Sequence, residues 1–288
     1  MPKPSVIIRR HIANRVIRMS QVQRYLDSIR KAMARYGFGS SRANGKQTSV
    51  TVIIPTMNSA GHLDITLGYY RRMGVSPVIF VDAKSTDDTF GVASRFCEHV
   101  HLTDNPGEWV ECMIEHISRS VATEWVLRID DDELPSRAIL EMCGAGLSGV
   151  AQPIISFPRR NCGLTRCRQF AFDGRSDEDR QFRLYRVNEV QYSTAIHTPA
   201  LIIERSVKMV NPHFLIHFDW AVHSYEERKS KVDRYNRVGG FMAGDRFRKG
   251  ILFEDDSELA GARVVLDAPE FMPVAEALAN RFPKSCML

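Results

Sequence analysis

The chain has 288 residues, 44% hydrophobic and 25% charged, which are the proportions of an ordinary soluble globular protein with room for one large domain or one and a half. No apolar run approaches the roughly 18–20 residues that span a bilayer, and six scattered cysteines without a CxxC argue against a zinc or disulfide framework. The net charge of +5 divides into a basic arm, with eleven Lys/Arg against Asp27 alone in residues 1–47, and a mildly acidic body of 28 Lys/Arg against 33 Asp/Glu, unlike the evenly basic face of a nucleic-acid enzyme.

In chain order, the start MPKPSVIIRRHIANRV places charges where a signal peptide needs its apolar core, so the expected location is cytoplasmic. Ile8, Ile12, Met19, Val22, Leu26, Ile29 and Met33 recur at helical intervals, with arginines on the other faces. This predicts an amphipathic helix, and Gly37, Gly39 and Asn44–Gly45 then read as a linker. Two readings stand: the helix rests peripherally on anionic lipid at the inner membrane face, or its stripe packs on the body.

From residue 49 the rhythm changes. SVTVIIP (49–55), PVIFVD (77–82), a short segment at His99–Leu102 and EWVLRID (124–130) predict strands. Leu63–Met73, Thr86–Phe96 and Trp109–Val121 predict the helices between them. Such alternation specifies an α/β fold, a mostly parallel sheet flanked by helices, with ligands beyond the carboxyl ends of the strands. Further on, 150–158 and 182–187 predict strands and Ser224–Val238 a charged helix. The expected division is a basic helix and linker at 1–47, a catalytic domain at 48–240 and an acidic, loop-rich tail at 241–288.

Two acidic clusters fall at carboxyl ends of strands. Asp130, Asp131, Asp132 and Glu133 repel one another and require a cation to neutralise them. Alternate strand residues share a face, so Asp130 and Asp132 are expected to meet one ligand, and oxygen ligation suits Mg2+ or Mn2+. In VIFVDAKSTDDT (78–89), Ser85, Thr86 and Asp87 are explained as helix caps, whereas Asp82 is left aiming into the crevice. Thr56-Met57-Asn58-Ser59-Ala60-Gly61 lacks the Gly-rich basic loop of a nucleotidyltransferase, and no G-x-G-x-x-G marks a dinucleotide enzyme.

IIPTMN (53–58), VDAKSTDDT (81–89) and WVLRIDDDE (125–133), in that order, resemble the successive signatures of family 2 glycosyltransferases, including the D-x-D-E block. FPRRNCG (157–163), DRQFRLYR (179–186) and Ile196–His197 resemble the branch containing lipopolysaccharide core and oligosaccharide glucosyltransferases. The resemblance spans roughly residues 49–235. It implies a GT-A fold and an inverting, metal-assisted transfer of a sugar from a nucleoside-diphosphate sugar, usually UDP-linked, to a glycan or lipid-linked acceptor of the cell envelope. It further implies that Pro55, Thr56 and Asn58 line the nucleotide pocket, Asp82 reads the base, and Asp130 and Asp131 lie at the donor. Asp132, with Asp130 and His217, is implied as metal ligand, Asp179 as general base, and Gln181 and Arg183 as groups beside the leaving diphosphate or the acceptor. Two departures are visible: Ala83-Lys84 where the family carries a polar residue and Gly, and Thr198 where the branch carries Glu. The second keeps an alternative open, a nucleotide- or carbohydrate-binding module without catalysis. Nucleic acid is not an expected partner.

Overall fold

The computed structural model describes residues 50–165, 167–173, 179–195, 199–203, 207–210, 213–238 and 263–282. The chain divides into two units, Met1–Gln47 and Thr48–Leu288, and every described residue belongs to the second. The basic arm with its apolar stripe, and Asp177, Glu178, His197 and Thr198, lie outside the described residues.

The nucleus is a parallel set of four strands in the order β3-β2-β1-β4, comprising β1 (Val50–Thr56), β2 (Val78–Asp82), β3 (Val100–Thr103) and β4 (Trp125–Arg128). Between them run α1 (Leu63–Arg72), α2 (Thr89–Phe96) and α3 (Glu111–Ser120). Strand alternation explains why both faces are apolar. Val52, Ile54, Ile79, Val81 and Leu127 enter one core, while Ile53, Val78, Phe80 and Val126 enter another, which α3 covers with Met113, Ile114 and Ile117. α2 starts at Thr89 and not Thr86, because the Asp87 carboxylate accepts the Thr89 amide at 3.0 Å and the preceding loop closes on that contact.

Beyond β4 the sheet becomes mixed. β8 (Arg180–Arg186) runs antiparallel to β4, with Val126 opposite Tyr185, and β6 (Ile154–Leu164) runs antiparallel to β8. β7 (Phe170–Asp173) continues the order, followed by β13 (Arg263–Val265). Short β5 (Glu133–Pro135) follows the acidic run, and β12 (Leu215–His217) pairs antiparallel with β5 and parallel with β6. β11 (Val207–Met209) pairs parallel with β6, and β9 (Gln191–Tyr192) pairs with β10 (Leu201–Ile202) as a separate ribbon. Among the described residues the remaining helices are α4 (Arg137–Ala145), α5 (Asp219–Val222), α6 (Tyr225–Val238) and α7 (Met272–Arg281), with a 3-10 turn at Pro269–Phe271 leading into α7.

α7 and β13 fall in the segment whose sequence predicts an acidic, loop-rich tail. MPVAEALANR is short, with Pro at its second position, so its apolar period is weak. Its packing is nevertheless firm. Phe271, Val274, Ala275 and Leu278 are buried in the main core, and the Phe271 ring stacks on Tyr69 of α1 at 5.3 Å. The Tyr69 hydroxyl in turn donates to the Pro135 carbonyl at 2.5 Å, and Arg281 clasps both carboxylate oxygens of Asp64. With Phe271 at 1% exposure and Met272 at 57%, Phe271→Ala is expected to lower the unfolding free energy by about 3–5 kcal/mol. Met272→Ala is expected to change it by no more than about 0.5 kcal/mol. Urea unfolding of the two variants checks the contrast, and equal effects would mean that the entry to α7 is not anchored in the core.

Candidate active site

β1 lies between β2 and β4, so the chain order reverses beside β1. In open α/β sheets that reversal leaves a crevice at the carboxyl ends. Three loops meet there. From the β4 side, Asp131 Oδ2 accepts the Thr56 hydroxyl at 2.5 Å and also the Ser59 hydroxyl, and the Asp131 carbonyl accepts Thr66 Oγ1 at 2.9 Å. From the β2 side, Thr86 N–H donates to Asn58 Oδ1 at 2.7 Å, with Asn58 in the left-handed region at φ 55°. Asn tolerates that conformation better than most residues do. Thr89 Oγ1 accepts the Ser59 amide at 2.7 Å, and Asp87 accepts the Ala60 amide at 3.0 Å. Pro55 is buried inside β1, opposite Phe80 of β2. Met57, Asn58, Thr86 and Asp87 are exposed at the rim. Asp82 is 2% exposed and satisfied from within: Oδ1 accepts the Lys84 amide and Oδ2 the Asn105 side chain, each at 2.9 Å.

The acidic run is a turn, not extended strand. β4 ends at Arg128, β5 begins at Glu133, and the Glu133 amide donates to the Asp130 carbonyl at 3.0 Å. Strand alternation therefore does not govern the four carboxylates, and each finds a different partner. Asp130 pairs with Arg183 and lies 3.7 Å from Arg128 Nη2. Asp131 holds the β1 loop. Asp132 lies 3.2 Å from His217 Nε2. Glu133 lies 2.7 Å from Arg183 and 3.2 Å from Arg159. The cations that neutralise Asp130 and Glu133 are thus guanidinium groups. Burial opposes ionisation of both carboxyls, and the charges of Arg128 and Arg159 work against it. Arg183, expected at the leaving diphosphate, is 2% exposed and occupied as an internal counter-ion.

The other half of the site comes from far along the chain. β12 sets His217 opposite both Glu133 and Asn161 in register, and α5 begins at Asp219. Oxygen or nitrogen atoms of Asp132, His217 and Asp219 lie within 4.8 Å of one another. Asp130, expected as a partner ligand, is outside this group, and Asp219 takes that place. An acid two residues after a candidate ligand, in LIHFDW, is the signal that could have revealed it. Burial opposes ionisation of Asp132, yet the His217 charge and hydrogen bond outweigh it and hold the carboxyl low. Asp219 is lowered well below its ordinary value, because Lys231 and His223, at 3.2 and 2.8 Å, overcome burial. Two ionised carboxylates and an imidazole at such spacing fit a divalent cation.

Asp179 is tied to this group. Its Oδ2 receives Arg159 Nε at 2.9 Å and Asn161 Nδ2 at 3.3 Å, and its Oδ1 receives Gln181 Nε2 at 2.8 Å. Asn161 Oδ1 lies 2.7 Å from His217 Nδ1. Burial would raise the Asp179 carboxyl, but the Arg159 charge and the hydrogen bonds win and lower it.

No protein-family model and no curated protein matches the chain. Among solved structures it is similar to S. aureus TarS 1-349, with 12% identity, 82% of this chain and 81% of that one covered, and a TM-score of 0.43. It is also similar to the glucosyl-3-phosphoglycerate synthase from Mycobacterium tuberculosis solved with Mn2+, uridine diphosphate and phosphoglyceric acid, with 16% identity over 40% of this chain and 43% of that one and a TM-score of 0.32. A third is a 4-diphosphocytidyl-2C-methyl-D-erythritol synthase, with 17% identity, 58% and 89% covered and a TM-score of 0.38. Scores at this level describe partial agreement of chain path, so what those proteins bind belongs to them alone.

Arg183 supplies a falsifiable consequence of the geometry. Its removal leaves Asp130 and Glu133 short of a counter-charge in a buried setting, so Arg183→Met is expected to cost about 3–5 kcal/mol of stability. Denaturant unfolding of the full chain measures this, and a loss no larger than that of an exposed arginine would show that the cluster does not depend on Arg183.

Proposed function

We propose that the chain is a nucleotide-sugar-dependent glycosyltransferase that moves a sugar, UDP-linked in the donor, to an acceptor hydroxyl with inversion. One observation carries the reading: Asp132, His217 and Asp219 gather beside the crevice of a parallel sheet, with the ionised Asp179 joined to them through Asn161. The motif order from IIPTMN to DRQFRLYR supports the same reading.

In this reading Thr56, Asn58 and Asp131 form the donor rim, and Asp82 organises the loop beneath the base. Asp132, His217 and Asp219 hold a divalent cation, Mn2+ in preference to Mg2+ because an imidazole nitrogen belongs to the set. Such a cation, when bound, stabilises the charge that develops on the departing diphosphate. Asp179 takes the acceptor proton on Oδ1, which one donor, Gln181, leaves with a spare lone pair. The acceptor oxygen bonds to the anomeric carbon as the bond to phosphate breaks, and the nucleoside diphosphate leaves with that electron pair. Arg183 and Arg159 position Asp130, Glu133 and Asp179 and do not touch the donor.

A second reading follows from the same Asp179. Three donors and a lowered pKa make it a weak base, as befits a module that binds nucleotide without transferring sugar. The two readings separate in one experiment. Asp179→Asn is expected to lower kcat for transfer by about 10²–10⁴-fold while uridine diphosphate with Mn2+ binds as before. Asp132→Asn or His217→Ala is expected to weaken that binding by more than the roughly 10–100-fold cost of losing an outer-shell partner. The depressed Asp179 pKa also sets a sign: the carboxylate stays ionised as pH falls through its ordinary range near about 4, so the acid limb of the pH–rate profile lies below that range. Wild-type protein that binds uridine diphosphate and Mn2+ yet transfers no sugar would establish the binding module instead.

The basic arm bears on the acceptor. Eleven Lys/Arg against one acid in residues 1–47 suit an anionic membrane surface, and hence a glycan or lipid-linked acceptor presented there. Flotation of the full chain with phosphatidylglycerol liposomes at low salt, lost on deletion of residues 1–47, is the expected result. Equal flotation of both proteins would remove the arm from the acceptor side.

A further inference from the structure

A line of four side chains leads from Asp179 to the candidate cation group. Asp179 Oδ2 lies 3.3 Å from Asn161 Nδ2, Asn161 Oδ1 lies 2.7 Å from His217 Nδ1, and His217 Nε2 lies 3.2 Å from Asp132 Oδ2. Hydrogen-bond roles along this line are not free. An ionised carboxylate only accepts, so Asn161 must turn its amino group toward Asp179 and its carbonyl toward His217. A carbonyl also only accepts, so His217 must carry a hydrogen on Nδ1. In the neutral ring Nε2 is then bare, and its lone pair faces a carboxylate oxygen. A ring protonated on both nitrogens donates Nε2–H to Asp132, whereas in the neutral ring a divalent cation takes that place between Nε2 and the carboxylate.

We propose that Asn161 is a positioning residue that fixes His217 in its Nδ1–H form, presenting Nε2 as a ligand for a divalent cation shared with Asp132 and Asp219, and that Asp179 sets the orientation of Asn161. The inference rests on the metal-assisted reading above and assigns to Asn161 the outer-shell role that ligating histidines require. The backbone enforces it. His217 and Asn161 are direct partners in the parallel β12–β6 pair, so the two side chains meet without help from a loop. Asp179 thereby acts twice in this reading, as proton acceptor for the reacting hydroxyl and as the anchor of the ligand's tautomer.

The test uses the full chain and Mn2+ alone as probe, with bound metal followed by electron paramagnetic resonance. Asn161→Asp keeps an acceptor for His217 Nδ1–H but sets a second carboxylate against Asp179, so it is made together with Asp179→Asn, and its Mn2+ affinity is then expected within about threefold of Asp179→Asn alone. Asn161→Leu removes the acceptor and is expected to weaken affinity by about 10–100-fold. Equal affinities for wild type and Asn161→Leu would overturn the proposal while leaving the metal site standing, whereas a wild type that takes up no Mn2+ would overturn both. A measurement on wild-type protein guards against a variant that fails to fold. Nitrogen-15 histidine spectra in saturating Mg2+, with His217 identified by its loss in His217→Gln, are expected to show Nδ1 protonated and Nε2 bare. A proton on Nε2 under those conditions would overturn the proposal.

Discussion

The structure depends on how four consecutive carboxylates are accommodated at the end of a central strand. Asp130 and Glu133 are neutralised by Arg128 from β4, Arg159 from β6 and Arg183 from β8. These arginines come from strands on the antiparallel side of the sheet as well as from β4 itself, so the acidic turn is also the joint between its two halves. Buried ion pairs of this kind seldom add net stability over well-packed apolar groups, yet breaking one is costly because it strands a charge. Their plain effect here is positional: with Asp130 and Glu133 held by guanidinium groups, Asp131 and Asp132 are left to other partners.

That division of labour shapes the site. Asp131 is drawn into the β1 loop by Thr56 and Ser59, which ties the rim of the crevice to β4. Asp132 is left to meet β12, where His217 and Asp219 arrive. Each half depends on the other. Without the arginines the run would repel itself apart, and without β12 paired to both β5 and β6 the imidazole would not reach Asp132. The order of strands at the crevice, with β1 between β2 and β4, puts all of this where open α/β sheets bind ligands.

The parallel nucleus was legible because β-branched runs such as VTVIIPT and VIFVD carry a local signal. The importance of Asp130–Glu133 was legible too, since consecutive acids at a strand end demand compensation. What compensates them was not, because the partners of Glu133 and Asp130 lie 26 and 53 residues away in sequence, at Arg159 and Arg183. Strand periodicity then misled in a specific way. It assumed the chain stays extended through Asp132, whereas a turn closed by the Glu133 amide separates Asp130 from Asp132. Asp219 escaped notice because its one signal, an acid two residues after His217, counts only once His217 is known to face Asp132. α7 escaped because its apolar stripe is only a few residues long, and burial of Val274, Ala275 and Leu278, with Phe271 stacked on Tyr69 just before the helix, supplies what propensity does not.

Asp179 shows why a group can be chemically apt without being a strong base. Arg159, Asn161 and Gln181 hold its carboxylate in one orientation, and the same contacts lower its pKa. For a hydroxyl attacking a sugar whose leaving group is already departing, the acidity of that hydroxyl rises steeply as the new carbon–oxygen bond forms. A weak acceptor suffices at that stage, provided it is already aimed, and alignment of reacting groups lowers barriers by several kcal/mol through pre-organisation. A carboxylate raised in pKa by apolar surroundings would accept the proton earlier but would lack the charged donors that fix it in place. In the proposed transfer, then, the arginine beside Asp179 trades basicity for geometry, and the linkage through Asn161 to His217 makes that geometry common to the proton acceptor and the cation group.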